Sequence, residues 1–402
     1  MNTITYLLSF LLCSQYLLST TAFVSKPLSR TYRHSLPLNY KNDGSDTEHT
    51  KPFVYNKNGS ILPPPPPPPK ELMTISLDAK KPLLSKAAFF TSSLVAAAIG
   101  LHGFDHTIAE SIVDAVAGIA ILPCAVYQHD IMHMHKNQVT KEHELVSLVC
   151  TLLTGTAWGE GPNLIHRNHH AITGDFRGIE IPTNEDGATD SSSIASITKQ
   201  SGDQDDLWLF ARNGNPFLQE TTGNSNTITD TFAGVSAIAA IALFQPVMLF
   251  QTLRDSVEHK HYDVLLMTVL HMITLFSLLG PLGYMFFSLG MSAAFTLPAI
   301  PFHDPKGQAK DGDYFYNAIK NTRNLDHHDN PLVKYLLNGV DYHLEHHLWQ
   351  DVPTENLHLL QPLAREYCAS NGMEYQNISW SDGLKESWQE GLALSRKKFA
   401  KQ

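Results

Sequence analysis

The sequence predicts an all-α integral membrane protein whose four transmembrane helices form two hairpins. Three observations carry that prediction. Apolar stretches of near-bilayer length recur along the 402 residues. Charged residues make up only 17% of the chain, below the usual quarter. Three histidine clusters, if they are to meet, require an even number of crossings between them. The net charge of −10 weighs against a nucleic-acid partner, because phosphate binding draws on an excess of Lys and Arg. Cys13, Cys124, Cys150 and Cys368 show no C-x-x-C spacing and predict neither a disulfide framework nor a thiolate metal site.

Residues 1–22 read as a signal peptide. The run "TYLLSFLLCSQYLLSTTAF" is short for an anchor, and Thr20 and Ala22 supply the small residues a peptidase requires. Residues 23–42 read as a transit segment: no Asp or Glu precedes Asp43, yet Lys26, Arg30, Arg33 and Lys41 do. A signal followed by a basic, acid-free segment starting at Phe23 resembles the presequences of algae with complex plastids. The expected location is therefore a plastid membrane, with the endoplasmic reticulum membrane as the alternative. Residues 43–80 predict a disordered linker. Its prolines, Pro63 to Pro69, favour a stiff polyproline II spacer of about 3.1 Å per residue.

From 81 to 402 the chain reads as one membrane domain, with apolar stretches at 87–104, 112–127, 145–158, 232–253, 264–279 and 282–302. A crossing takes about 20 residues. The 87–104 and 282–302 stretches fit, and each pairs with a neighbour across a short break such as "LGPLG" at 279–283. The 145–158 stretch is too short to cross and reads as re-entrant or interfacial. Residues 178–202, "GIEIPTNEDGATDSSSIASITKQSG", read as an inserted, solvated loop.

The chemistry is carried by histidine. "YQHDIMHMHK" places His129 and His133 at i, i+4. "HRNHH" places His166, His169 and His170 at i, i+3, i+4, and "DYHLEHHLWQDVP" repeats that spacing at His343, His346 and His347. Such spacings share one helical face. With this histidine content, H-x-x-H-H is expected by accident roughly 0.06 times, and it occurs twice. Imidazole suits Fe, Zn, Cu and Ni, and eight ligands exceed the needs of one ion, so two are implied. Asp130, Glu345 and Asp341 are placed to accept the second N–H of a ligating ring. Lone His102 and His271 read as core residues, and His135, His327 and His328 as surface or supporting ones.

All three clusters must lie on one side of the bilayer. The 145–158 stretch then must not traverse. One of the three later stretches must not either, and 232–253, interrupted by Gln245, Pro246 and Gln251, is assigned to the interface. The last two stretches cross, and His303 in "PFHDP" emerges beside the clusters as a candidate ninth ligand.

As a set, H-x-x-x-H, H-x-x-H-H and H-x-x-H-H between hydrophobic hairpins resemble the membrane fatty acid desaturases. The segment "NGVDYHLEHHLWQDVPTENLHLLQPLAREYCASNGMEY" is similar to the acyl-lipid and front-end branch. "NTRN" at 321–324 and "DQDDLWL" at 203–209 are weaker matches, and the likeness covers roughly residues 85 to 378. Departures are Asp341 and His343, where the branch often has Asn and Gln, and Trp349 and Gln350, where Phe-Pro is typical.

The resemblance implies a four-helix stalk and a helical cap holding a di-iron centre, ligated by His129, His133, His166, His169, His170, His343, His346 and His347 with His303 added. It implies an O2-dependent desaturase that takes two electrons and removes two hydrogens from an acyl chain held in an apolar tunnel. No His-Pro-Gly-Gly haem segment occurs, so the expected donor is a separate protein, ferredoxin in a plastid; the basic "SRKKFAK" at 395–401 is one surface that could receive it. Alternatives are a di-iron carotenoid hydroxylase or ketolase, a zinc membrane hydrolase, and a metal-binding protein without catalysis.

Overall fold

The computed structural model describes residues 62–74, 76–101, 107–134, 138–157, 170, 227–304, 314–326 and 330–389. The presequence, the 178–202 insertion, the "DQDDLWL" signature, the basic tail and Cys13, His102, His135, His166, His169, His327 and His328 lie outside the described residues.

The described chain is mostly helical. Helix α1 (Leu77–Leu101) is followed by α2 (Ile108–Ala120) and α3 (Leu122–His133). The start of α2 is a capping box: the Glu110 amide donates to the Thr107 hydroxyl, and the Thr107 amide donates to the Glu110 carboxylate. A single turn residue, Ile121, and Pro123 in the first turn separate α2 from α3. Helix α4 (Lys141–Thr154) starts on Thr140, whose amide donates to the His143 ring, and stops at left-handed Gly155. Two long helices follow, α5 (Thr227–Glu258) and α6 (Tyr262–Ala299).

Among the described residues, three stretches are long and apolar enough to cross a membrane: Lys80–Ile99, Ile108–His133 and Tyr262–Phe302. They bury Leu84, Ala87, Ala117, Cys124, Leu275 and Phe287 in one core. Their outer faces still expose Phe89, Ile112, Val116, Leu266, Ile273, Phe276 and Met285. A helix apolar on every side suits a hydrocarbon surround rather than water.

The Tyr262–Phe302 stretch has 41 residues, about twice what one crossing takes. Gly280 breaks it, with φ 69° and ψ 177°, a conformation side-chain-bearing residues rarely adopt, and Pro281 follows. The His271 and Phe287 rings then stand 6.1 Å apart, and those of Phe276 and Tyr284 5.7 Å. Sixteen residues of straight helix would span about 24 Å. The chain therefore reverses at "LGPLG", giving α6 two antiparallel arms.

Helix α2 lies so close to the second arm that a Cβ on Gly118 would sit 2.0 Å from the Phe287 carbonyl oxygen, and one on Gly290 1.9 Å from that of Ala115. Helix α4 ends halfway along the first arm. The His271 ring nitrogen Nδ1 donates to the Leu152 carbonyl at 3.0 Å, and any Cβ on Gly155 would strike the same ring. His271 is thus a buried joint residue, in keeping with the core reading. Helix α5 runs along the second arm, with Phe244 stacked on Phe295 at 4.7 Å.

A second core forms beyond α6 from α7 (Tyr314–Asn321), α9 (His343–Leu348) and α10 (Gln361–Ser370), while α8 (Pro331–Leu337) packs its Leu337 with Leu122 and Val126 of α3. Two short parallel strands, β1 (Asn324–Leu325) and β2 (Asn377–Ile378), tie its ends together. The proline run, expected as part of a disordered linker, lies on this core. Trp349 donates its indole N–H to the Pro66 carbonyl at 3.0 Å, Tyr367 donates to that of Pro63, and Asn356 to that of Leu72. Polyproline II leaves its carbonyls unpaired, so they are free to accept side-chain donors.

Candidate metal centre

Helix α3 ends on the first histidine cluster. One turn separates His129 from His133, and their rings lie 4.7 Å apart between centroids. Helix α9 is only six residues long and carries all three histidines of the last cluster. A 3₁₀ turn, Ile300–Phe302, leads from α6 to His303.

The chain resolves these rings into two groups. His129, His133, His170 and His346 form one; His303, His343 and His347 form the other. Within each, one ring nitrogen per residue lies within 4.8 Å of the rest, and all are buried except His133, which is partly so. The groups adjoin, with the His170 and His347 rings 4.2 Å apart. Seven of the nine predicted ligands are therefore brought together; the other two, His166 and His169, lie outside the described residues.

The donor set fits transition-metal ions. In the smaller group, Nε2 of His343 stands 2.8 Å from Nε2 of His303 and 3.1 Å from Nε2 of His347. Two nitrogens at right angles about one ion, each roughly 2.1 Å from it, are about 3 Å apart. Buried imidazoles with converging nitrogens match that spacing, and among the described residues no cysteine joins either group. Burial pushes the Cys368 thiol up to about 12, so it stays protonated.

The "NTRN" segment braces the smaller group. The Arg323 guanidinium donates to the His303 carbonyl at 2.8 Å and pairs with Glu386 at 2.8 Å. Asn324 holds α9 at two points: its amide donates to Glu345 Oε2 at 2.7 Å, and its carbonyl accepts the Leu344 amide at 2.8 Å. Tyr375 donates to Glu345 Oε1 at 2.6 Å, and the Arg365 guanidinium caps the Tyr375 ring at 4.3 Å. Burial, then the Glu345 charge, push the Tyr375 phenol upward, so it keeps the proton it donates.

The predicted carboxylates are all buried. Glu345 anchors α9 through Asn324 and Tyr375. Asp130 Oδ1 is 3.9 Å from the His129 ring nitrogen, beyond hydrogen-bond reach. Its oxygens take Lys80 at 2.6 Å and the Thr354 hydroxyl at 2.9 Å. The Asp341 backbone carbonyl accepts from the Leu325 amide at 3.1 Å. Sequence reasoning missed Lys80, Thr354, Arg365 and Tyr375 as supports. Only Lys80 carried a signal, a cation at the mouth of an apolar helix.

Comparison with known proteins places these residues in context. The family described as fatty acid desaturase matches residues 112–379, which include both histidine groups. A stretch of 72 residues is 37% identical to a Delta(5) fatty acid desaturase, fat-4, of Caenorhabditis elegans. That stretch covers 18% of this chain and 16% of the relative.

Proposed function

The chain belongs to the fatty acid desaturase family, and from that premise we propose that it is an acyl-lipid desaturase working at a di-iron centre. The observation that carries this reading is the adjacency of the two histidine groups, His170 against His347, inside one buried site. The residues would hold two neighbouring ions, the number the di-iron reading requires.

His129, His133, His170 and His346 would hold one ion, and His303, His343 and His347 the other. We assign His166 and His169 to the same centre from their H-x-x-H-H spacing. When bound, iron supplies the oxidising power, drawn from O2 and two delivered electrons, that an unactivated methylene requires and that acid–base side chains lack. The protein's own part is placement. Phe302 stacks on the His343 ring at 4.4 Å and shields it, Arg323 sets the reach of His303, and Glu345 with Asn324 and Tyr375 sets the rotation of α9.

Counting each arm of α6 separately gives four crossings, which return His303 to the surface bearing the other clusters. The end of α4 against the middle of α6 supports a re-entrant α4, and α5 is assigned to the interface. We place the enzyme in a plastid membrane with ferredoxin as donor, on the composition of residues 1–42. Expression in a host lacking the activity tests the function. A new double bond in membrane acyl chains is expected; altered pigments with unchanged acyl chains would show a carotenoid enzyme instead. About two irons per purified chain are expected, and a single zinc would sink the reading.

A further inference from the structure

We propose that Lys80 is a positioning residue of the metal centre, holding the first histidine box in place through Asp130; this rests on the centre proposed above. Lys80 enters at the start of α1, and its side chain is 2% exposed. Its ammonium lies 2.6 Å from Asp130 Oδ2 and 2.6 Å from Glu355 Oε2. Asp130 in turn accepts the Thr354 hydroxyl at 2.9 Å and the Thr354 amide at 3.3 Å. One cation thus joins α1, the first box and the turn that follows the third box.

The geometry explains why the ammonium acts on the metal site. Asp130 directly follows His129 on α3 and faces about 100° away from it around the helix axis. Anchoring Asp130 fixes the rotation of the last turn of α3, and that rotation aims His129 and His133 at His346, whose ring is 4.8 Å from each. Without Lys80, a buried carboxylate beside two ligating imidazoles loses its counter-charge. It would then turn toward the 3.9 Å-distant His129 ring or toward a bound cation, twisting the box out of line. The smaller histidine group is braced by Arg323, Asn324 and Tyr375 and does not depend on this link.

The test is the iron content of the detergent-purified full chain after reconstitution with Fe(II). Wild type is expected to hold about two irons, Lys80→Met about one, and Lys80→Arg about two. Lys81→Met serves as the neighbour control, because Lys81 pairs with half-exposed Glu142 at 2.7 Å, and it should keep both irons. Retention of two irons by Lys80→Met overturns the proposal. So does a loss that Lys80→Arg fails to restore, or an equal loss in Lys81→Met. Should Lys80→Met not yield folded protein, Glu355→Gln decides. It leaves Asp130 its ammonium, so two irons are expected, and loss of one overturns the assignment. A wild-type chain holding fewer than two irons would instead sink the di-iron reading itself.

Discussion

The four-histidine group draws His129 and His133 from α3, His170 from a separate stretch and His346 from α9, so it closes only when three remote segments meet. The three-histidine group takes His343 and His347 from a single turn of α9 and needs one outside donor, His303, delivered by the Arg323 clamp. The contrast teaches that the two sites report on different levels of structure. The first depends on how the helices dock. The second depends on one short helix and one loop.

The largest effect should come from the residue the two groups most nearly share. His346→Ala removes a ligand of the larger group from the helix that builds the smaller one, and activity should fall more than about 100-fold. Acyl-chain analysis of expressing cells checks this, and normal turnover would refute the ligand assignment. His303→Ala should cost about 10- to 100-fold and remove only the ion of the smaller group, so the purified chain keeps roughly one iron. Loss of both ions there would show that the groups are not independent.

Tyr375→Phe deletes one donor to Glu345 but leaves Asn324 in place. A drop of about tenfold in activity is expected, with iron retained. If activity is unchanged, Asn324 alone suffices to orient α9. The smallest functional effect belongs to His271→Ala, far from both groups at the joint of α4 and α6. The vacated space should lower stability by about 2 kcal/mol, seen as a lower midpoint in thermal unfolding, while activity per folded molecule stays within a few-fold. Complete inactivation would mean the joint between those helices controls the centre.

Much of this was legible in the sequence because histidine spacing is a local property. Two H-x-x-H-H motifs announce themselves without any knowledge of what folds against them. "LGPLG" marked the reversal of α6 for the same reason: Gly280 and Pro281 act on their own backbone. His303 needed a topological argument, since nothing adjacent distinguishes it from a core histidine. Thr354 and Tyr375 were illegible, and Lys80 showed only as a cation at a helix mouth, because their roles come from partners 30 to 275 positions away. The proline run read as a spacer because its intrinsic stiffness is local, while Trp349 and Tyr367, which receive it, are 283 and 304 residues distant.

That seating has a practical corollary for handling the chain. Trimming that passes residue 66 would strip acceptors from Trp349, the residue immediately after the last histidine helix, and from Tyr367. The contacts of the described fold therefore begin well ahead of its first apolar helix. Shortened versions designed from hydropathy alone, starting near residue 77, would leave an indole and a phenol without their partners beside the last histidine helix.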